Sequence, residues 1–338
     1  MLVMKPELFA ELDTPDGLKT ALQAAIELEH ATIPPYLYAV FSLEEGSNAE
    51  IAKLVDSVVK EEMAHMALAC NVLNAIGGEP EIDTPQFIPT YPGALPGTVE
   101  EQLIVHLRPF SIAQVEETFM VIEEPEEPLA IPDPAVIVRQ TIGEFYAKIQ
   151  QQIEAAGEAI FVGDHSRQVT GGFREVIAVT DVKSASTAIE TIVEQGEGTK
   201  TSPLGDKAGD ELAHYYRFAE IAKGRKLIPA PHQQPPWRYE GEAIPFDPTH
   251  VYPAVEDPHS SDYPPGSPAR RACEECNYTY TSLLKLLHEV FNGAPTHLGK
   301  SIGVMNELAT QAEKLMTIKL PSGKNAGPSF EYQPNPPS

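Results

Sequence analysis

Glutamate and histidine stand three residues apart four times in this chain: Glu27/His30, Glu62/His65, Glu211/His214 and Glu256/His259. Random placement of 37 Glu and 10 His along 338 residues would give about one such pair. On a helix, residues three apart lie about 60° apart around the axis and one turn along it. Both side chains then reach one metal ion, and the carboxylate has a second oxygen free to bridge to another. Carboxylate oxygen and imidazole nitrogen together suit iron and manganese, and in some sites zinc. The pattern therefore points to metal chemistry, provided the pairs sit on helices.

Helical phase separates the pairs. Ile51, Val55, Val58, Met66, Ala69, Leu73 and Ile76 form an apolar stripe, and Glu62 and His65 lie within it. A buried carboxylate is costly unless it is paired or metal-bound. Glu211 and His214 align with Phe218 and Ile221, and Asp210–His214 repeats the acidic, Glu, apolar, Ala, His order of Glu61–His65. Glu256/His259 falls in a Pro-rich stretch and reads as coincidence. Around the first pair the stripe runs 22, 25, 26, 29, 33, 36. It selects Glu29 as the ligand, with Glu27 as the alternate and His30 as a supporting or surface residue. A fourth carboxylate is expected from Glu144, beside the stripe Val138, Ile142, Phe145 and Ile149, with Glu116 or Glu117 as fallbacks. Tyr36, Tyr146 and Tyr215 are candidate pocket or radical-prone residues, with packing on the helices as the alternative reading for each.

Four main helices must position these groups, and periodicity predicts them over 18–43, 49–76, 134–156 and 207–223. Pro34-Pro35 should kink the first. Residues 79–110 read as a long crossover with one short helix near 99–106, and Ser111 caps a short helix to about Ile122. Glu123 to Pro128 reads as an acidic loop. Gly171-Gly172, between two β-prone stretches, signals a β-hairpin. A short helix over 184–194 and two more over 268–291 and 298–316 follow, and the tail from Pro321 is expected to be extended or disordered. The organisation expected is a bundle domain over 14–240, a Pro-rich connection and C-terminal helical pair packed on it over 241–320, and a tail over 321–338.

The net charge of −25, from 24 basic and 49 acidic residues, argues against nucleic acid and anionic membranes as partners. No window of about 18 uncharged apolar residues is present, so no membrane span is expected. The start of the chain lacks a signal-peptide pattern, which makes the cytoplasm the expected location. Three cysteines cannot build a disulfide framework. Cys273-Glu-Glu-Cys276 is a lone CxxC that reads as the start of a helix, and Cys70 as a buried apolar residue.

The order Glu, Glu-x-x-His, Glu, Glu-x-x-His along four helices resembles the ferritin-like di-metal carboxylate proteins. More closely, Ile26–Leu37 (IELEHATIPPYL), Ile142–Tyr146 (IGEFY) and Ile192–Gly198 (IVEQGEG) resemble the ferritin-like domain of the iminophenyl-pyruvate dimer synthase family, whose members couple amino-acid-derived imines. The resemblance covers roughly residues 15–235. It implies a mainly α, ferritin-like four-helix bundle with long crossovers. It implies a metal site at Glu29, Glu62, His65, Glu144, Glu211 and His214, holding two iron ions, with manganese or zinc as alternatives. The function expected is a di-iron oxidase or oxidative-coupling enzyme that uses O2 or a small organic substrate. Metal storage without an organic substrate and a metal-free helical scaffold are the alternatives. A homodimer is compatible with the two C-terminal helices.

Overall fold

The computed structural model describes residues 2–99, 103–125, 141–197, 202–204, 211–233 and 236–337. Eight helices can be followed through it. Helix α1 (Pro15–Phe41) starts where Thr14 Oγ1 accepts the Gly17 N–H at 3.0 Å. It continues across Pro34-Pro35, and the missing Pro35 N–H frees the Ala31 carbonyl one turn back. The Tyr91 hydroxyl takes that carbonyl at 2.7 Å. Helix α2 (Ala49–Ala75) follows after a short turn, packs along the length of α1, and ends at Gly77 with φ +75°.

The crossover that follows is extended. Residues 103–106 form no helix; Val105 instead pairs with Gly93 in an isolated antiparallel bridge, and 100–102 lie outside the described residues. Ser111 then caps a composite helix α3, built from Ile112–Gln114, a π segment Val115–Phe119, and Met120–Ile122. Helix α4 (Ile142–Ala156) is capped by Thr141, and helix α5 (Val182–Glu197) by Asp181, which accepts the Ser184 N–H at 2.7 Å. The expected start of the third helix at 134–140 lies outside the described residues.

Four helices make the bundle, but they are not the four that periodicity selected. Helix α5, expected to be a short accessory, packs against both α2 and α4 through Ala185, Ala188, Ile189 and Ile192. Helix α6 (His214–Lys223) begins later than expected and is short, packing on α2, α3 and α5. It stops at Gly224, φ +64°.

No strand forms among the described residues 165–181. The backbone there is satisfied by buried side chains rather than a ladder: Asn71 Nδ2 donates to the Val169 and Ile177 carbonyls at 2.7 and 2.8 Å, and Gln168 Oε1 accepts the Val179 N–H. The small sheet lies elsewhere, as an antiparallel pair β1 (Ile228–Pro229) and β2 (Trp237–Arg238). Helices α7 (Pro268–Phe291) and α8 (Leu298–Met316) pack on each other and onto the α1–α2 pair. The tail past Pro321 is extended and docked, with Asn325, Ser329 and Phe330 buried. No described helix is long and apolar enough to cross a membrane. Cys70, Cys273 and Cys276 are free and buried, and burial raises the pKa of each thiol.

Candidate metal centre

Glu62, His65 and His214 meet in the core, each offering a ligand atom within 4.8 Å of the others. Helix α2 supplies the first two from adjacent turns, and α6 supplies His214 from its first residue, with none of its surface exposed. The two imidazoles stack with ring centroids 5.3 Å apart. Glu62 Oε1 lies between them, 2.8 Å from His214 Nδ1 and 3.9 Å from His65 Nδ1. Thr32 donates to the other Glu62 oxygen at 3.0 Å.

Two more carboxylates complete the cluster. Glu29 from α1 places Oε2 3.4 Å from His65 Nδ1 and accepts a short hydrogen bond from the Tyr146 hydroxyl. Glu123, at the end of α3, places Oε2 3.5 Å from His214 Nδ1 and accepts from Tyr36 at 2.6 Å. Its backbone N–H bonds the Phe119 carbonyl at the end of the π segment, so that irregular turn sets where Glu123 sits.

Each imidazole is held from behind through Nε2. Gln195 Oε1 lies 2.9 Å from His65 Nε2, and Glu61 Oε2 lies 3.0 Å from His214 Nε2. Burial raises the Glu61 carboxyl, but the bond to His214 and the charges of His214 and Arg217 outweigh it and bring the pKa down to about 2. Glu61 is thus an acceptor only, which makes Nε2 of His214 the donor and turns Nδ1 toward Glu62 and Glu123. Arg217 anchors Glu61 at 2.9 Å.

The electrostatics fit a cation. Burial, the nearby Glu123 charge and the Glu29 charge push the Glu62 carboxyl up to about 7, against the pull of His214. Burial disfavours a charged His214, yet Glu123, Glu61 and Glu62 reverse this and hold its pKa well above the usual value. His214 Nδ1, fully buried, forms no hydrogen bond despite its carboxylate neighbours. A buried imidazole nitrogen without a hydrogen bond, among clustered carboxylate oxygens, is what a metal ligand set looks like from the protein side.

The structure does not bring Glu144 or Glu211 into this cluster. Glu144 occupies the first turn of α4, where its N–H caps onto Thr141, and the next turn sends Tyr146 inward instead. Glu211 precedes the first turn of α6, so the helical spacing to His214 does not exist; its side chain is 66% exposed and 3.5 Å from Arg217. Glu27 accepts from Gln23 at the bundle edge, and Glu116 and Glu117 are exposed. His30 is buried rather than at the surface, with Nε2 2.8 Å from the Tyr280 hydroxyl. His259 is at the surface beside Glu331. Tyr36 and Tyr146 touch the cluster; Tyr215 packs on Tyr216 away from it.

Sequence reasoning missed Glu123, Glu61, Gln195 and Arg217. Glu123 was hidden in an acidic run that reads as solvated loop, and only its position four residues after Phe119 hinted at a buried turn.

A ferritin-like family model matches residues 22–223. The chain belongs to the ferritin-like family. The match spans α1 to α6 and so contains every residue of the cluster. The fold is shared with a ferritin-like protein from Caulobacter vibrioides, whose crystal structure aligns with a TM-score of 0.64 at 24% identity, covering 93% of this chain and 97% of that one. No curated protein matches the sequence.

A cavity of about 60 Å³ opens beside Glu29, Glu62, His65 and Glu123, walled by Leu28, Ile142 and Ile192. It admits a diatomic gas or a water molecule to the cluster and little more.

Proposed function

We propose that this protein is a di-metal carboxylate oxidase, with iron as the metal and a small organic molecule, amino-acid-derived, as the species oxidised or coupled. Glu29, Glu62, His65, Glu123 and His214 would hold the ions, with Glu62 between the two imidazoles. The observation that carries the reading is the buried His214 Nδ1, which lacks a hydrogen bond yet lies 2.8 Å from Glu62 and 3.5 Å from Glu123. Bound iron supplies the electrons for reduction of O2. The protein's own groups do the rest. Gln195 and Glu61 fix the imidazole tautomers. Tyr36 and Tyr146 orient the carboxylates. Leu28, Ile142 and Ile192 exclude bulk water from the cavity.

The resemblance of IELEHATIPPYL, IGEFY and IVEQGEG to the iminophenyl-pyruvate dimer synthases supports an imine or amine substrate. The three buried free thiols are consistent with a reducing compartment, the cytoplasm. The small cavity favours a second reading, metal oxidation and handling without an organic substrate. Purification without added metal, then metal analysis and anaerobic ferrous titration followed by O2-uptake measurement, tests both. Two iron per chain with O2 uptake stimulated by an amino-acid-derived imine supports the oxidase. Uptake that stops at the ferrous content and ignores the imine supports metal handling. A chain that takes up no metal contradicts both.

A further inference from the structure

Successive residues on a helix point about 100° apart, so a two-helix layer has two faces with different tasks. On α1, Glu29 and Thr32 line the metal centre, while His30, Ile33 and Leu37 line a second cavity. On α2, Glu62 and His65 take the first face, and Met63, Met66 and Ala67 the second. The second cavity measures about 440 Å³ and shares no lining residue with the first. Its other walls are Tyr280 and Leu284 of α7, and Ile302 and Met305 of α8.

The interior is apolar apart from one imidazole. His30 is 4% exposed, and its ring lies against Phe87 with centroids 4.5 Å apart. Nε2 is engaged by Tyr280, whereas Nδ1 is buried with no hydrogen-bond partner. The charged residues of the lining, Lys60, Asp56 and Glu313, stand at the outer part of the helices, and Lys60 and Asp56 pair with each other. No charge of either sign lies deep enough to balance a charged ligand. Ile302 on α8 is 40% exposed, which leaves an apolar rim at the entrance.

We propose that this cavity is a binding site for a neutral, apolar small molecule of one or two aromatic rings. The volume falls within the roughly 300–1,000 Å³ of small-molecule sites. Apolar walls with their charged residues at the outer rim favour a ligand that carries no charge. The site acts through the face of α1–α2 opposite the metal cluster and does not depend on metal.

N-phenyl-1-naphthylamine, a neutral probe that brightens in apolar surroundings, tests this on the full chain. Saturable binding at one probe per chain is expected, equal before and after metal removal with EDTA. Ala309→Trp and Ala67→Phe, which fill the cavity from opposite walls, should each weaken binding at least ten-fold while the metal content stays unchanged. Absence of saturable binding to the wild-type chain overturns the proposal without any variant. So does binding that is undiminished in both filled variants, or lost on metal removal alone.

Discussion

Tyr36 on α1 donates a hydrogen bond to Glu123 at 2.6 Å, between residues 87 apart in the sequence. The contact draws the end of α3 into the bundle and makes Glu123 a neighbour of His214. Glu123→Ala should therefore remove at least one metal equivalent. Glu211→Ala, whose carboxylate faces solvent, should leave metal content as in the wild type. Metal analysis of the two variants side by side decides the matter; the reverse pattern would show that α6 extends further toward its N-terminus in the metal-bound protein. Tyr36→Phe should weaken metal binding by roughly 10- to 100-fold, as loss of an outer support does.

Gln195 holds His65 from the far side of the bundle. Gln195→Leu keeps the volume and frees the His65 ring, so metal affinity should fall by roughly 10-fold or more with little change in melting temperature. A large drop in melting temperature without loss of affinity would mean that Gln195 serves packing alone.

Glu61 and Arg217 form a buried ion pair at 2.9 Å. Arg217→Met strands the Glu61 charge and should destabilise the metal-free protein by about 3–5 kcal/mol. Glu61→Gln combined with Arg217→Met should be milder than Arg217→Met alone, because no stranded charge remains. Urea unfolding of the three variants reads this; a double variant worse than the single one would contradict the ion-pair account.

The tail is held by Glu331, whose Oε2 accepts from both the Ser260 N–H and Ser329 Oγ at 2.8 Å each. Burial raises its pKa, but the Ser260, Ser329 and His259 contacts outweigh this and bring it below the ordinary 4.5. A carboxylate depressed in the folded state stabilises above its unfolded pKa, and that contribution fades as the pH falls through the folded value. Tail docking should therefore hold at neutral pH and loosen below about pH 4.5. Glu331→Gln should remove this acid sensitivity, read as amide exchange of residues 325–333. Equal acid dependence in both proteins would place the titrating group elsewhere.

What the sequence determined by itself was local. Periodicity and caps placed α1, α2, α7 and α8 within three residues of their ends, because each carries a long apolar stripe between a Thr, Ser, Asn or Pro start and a polar or Gly stop. The stripe through α2 also selected Glu62 and His65, since a carboxylate in an apolar phase needs a partner. Tertiary structure decided which distant groups answered them. Helix α6 starts at His214 rather than before Glu211, so a matching Glu-x-x-His spelling did not carry a matching geometry. Asn71 and Gln168 absorbed the hydrogen bonds of a stretch that looked like a hairpin. Glu123 became part of the cluster through a π turn and a tyrosine from another helix. Spacing encodes one helix at a time, whereas a buried charge is stabilised by whatever the packing of several helices brings within about 3–4 Å of it.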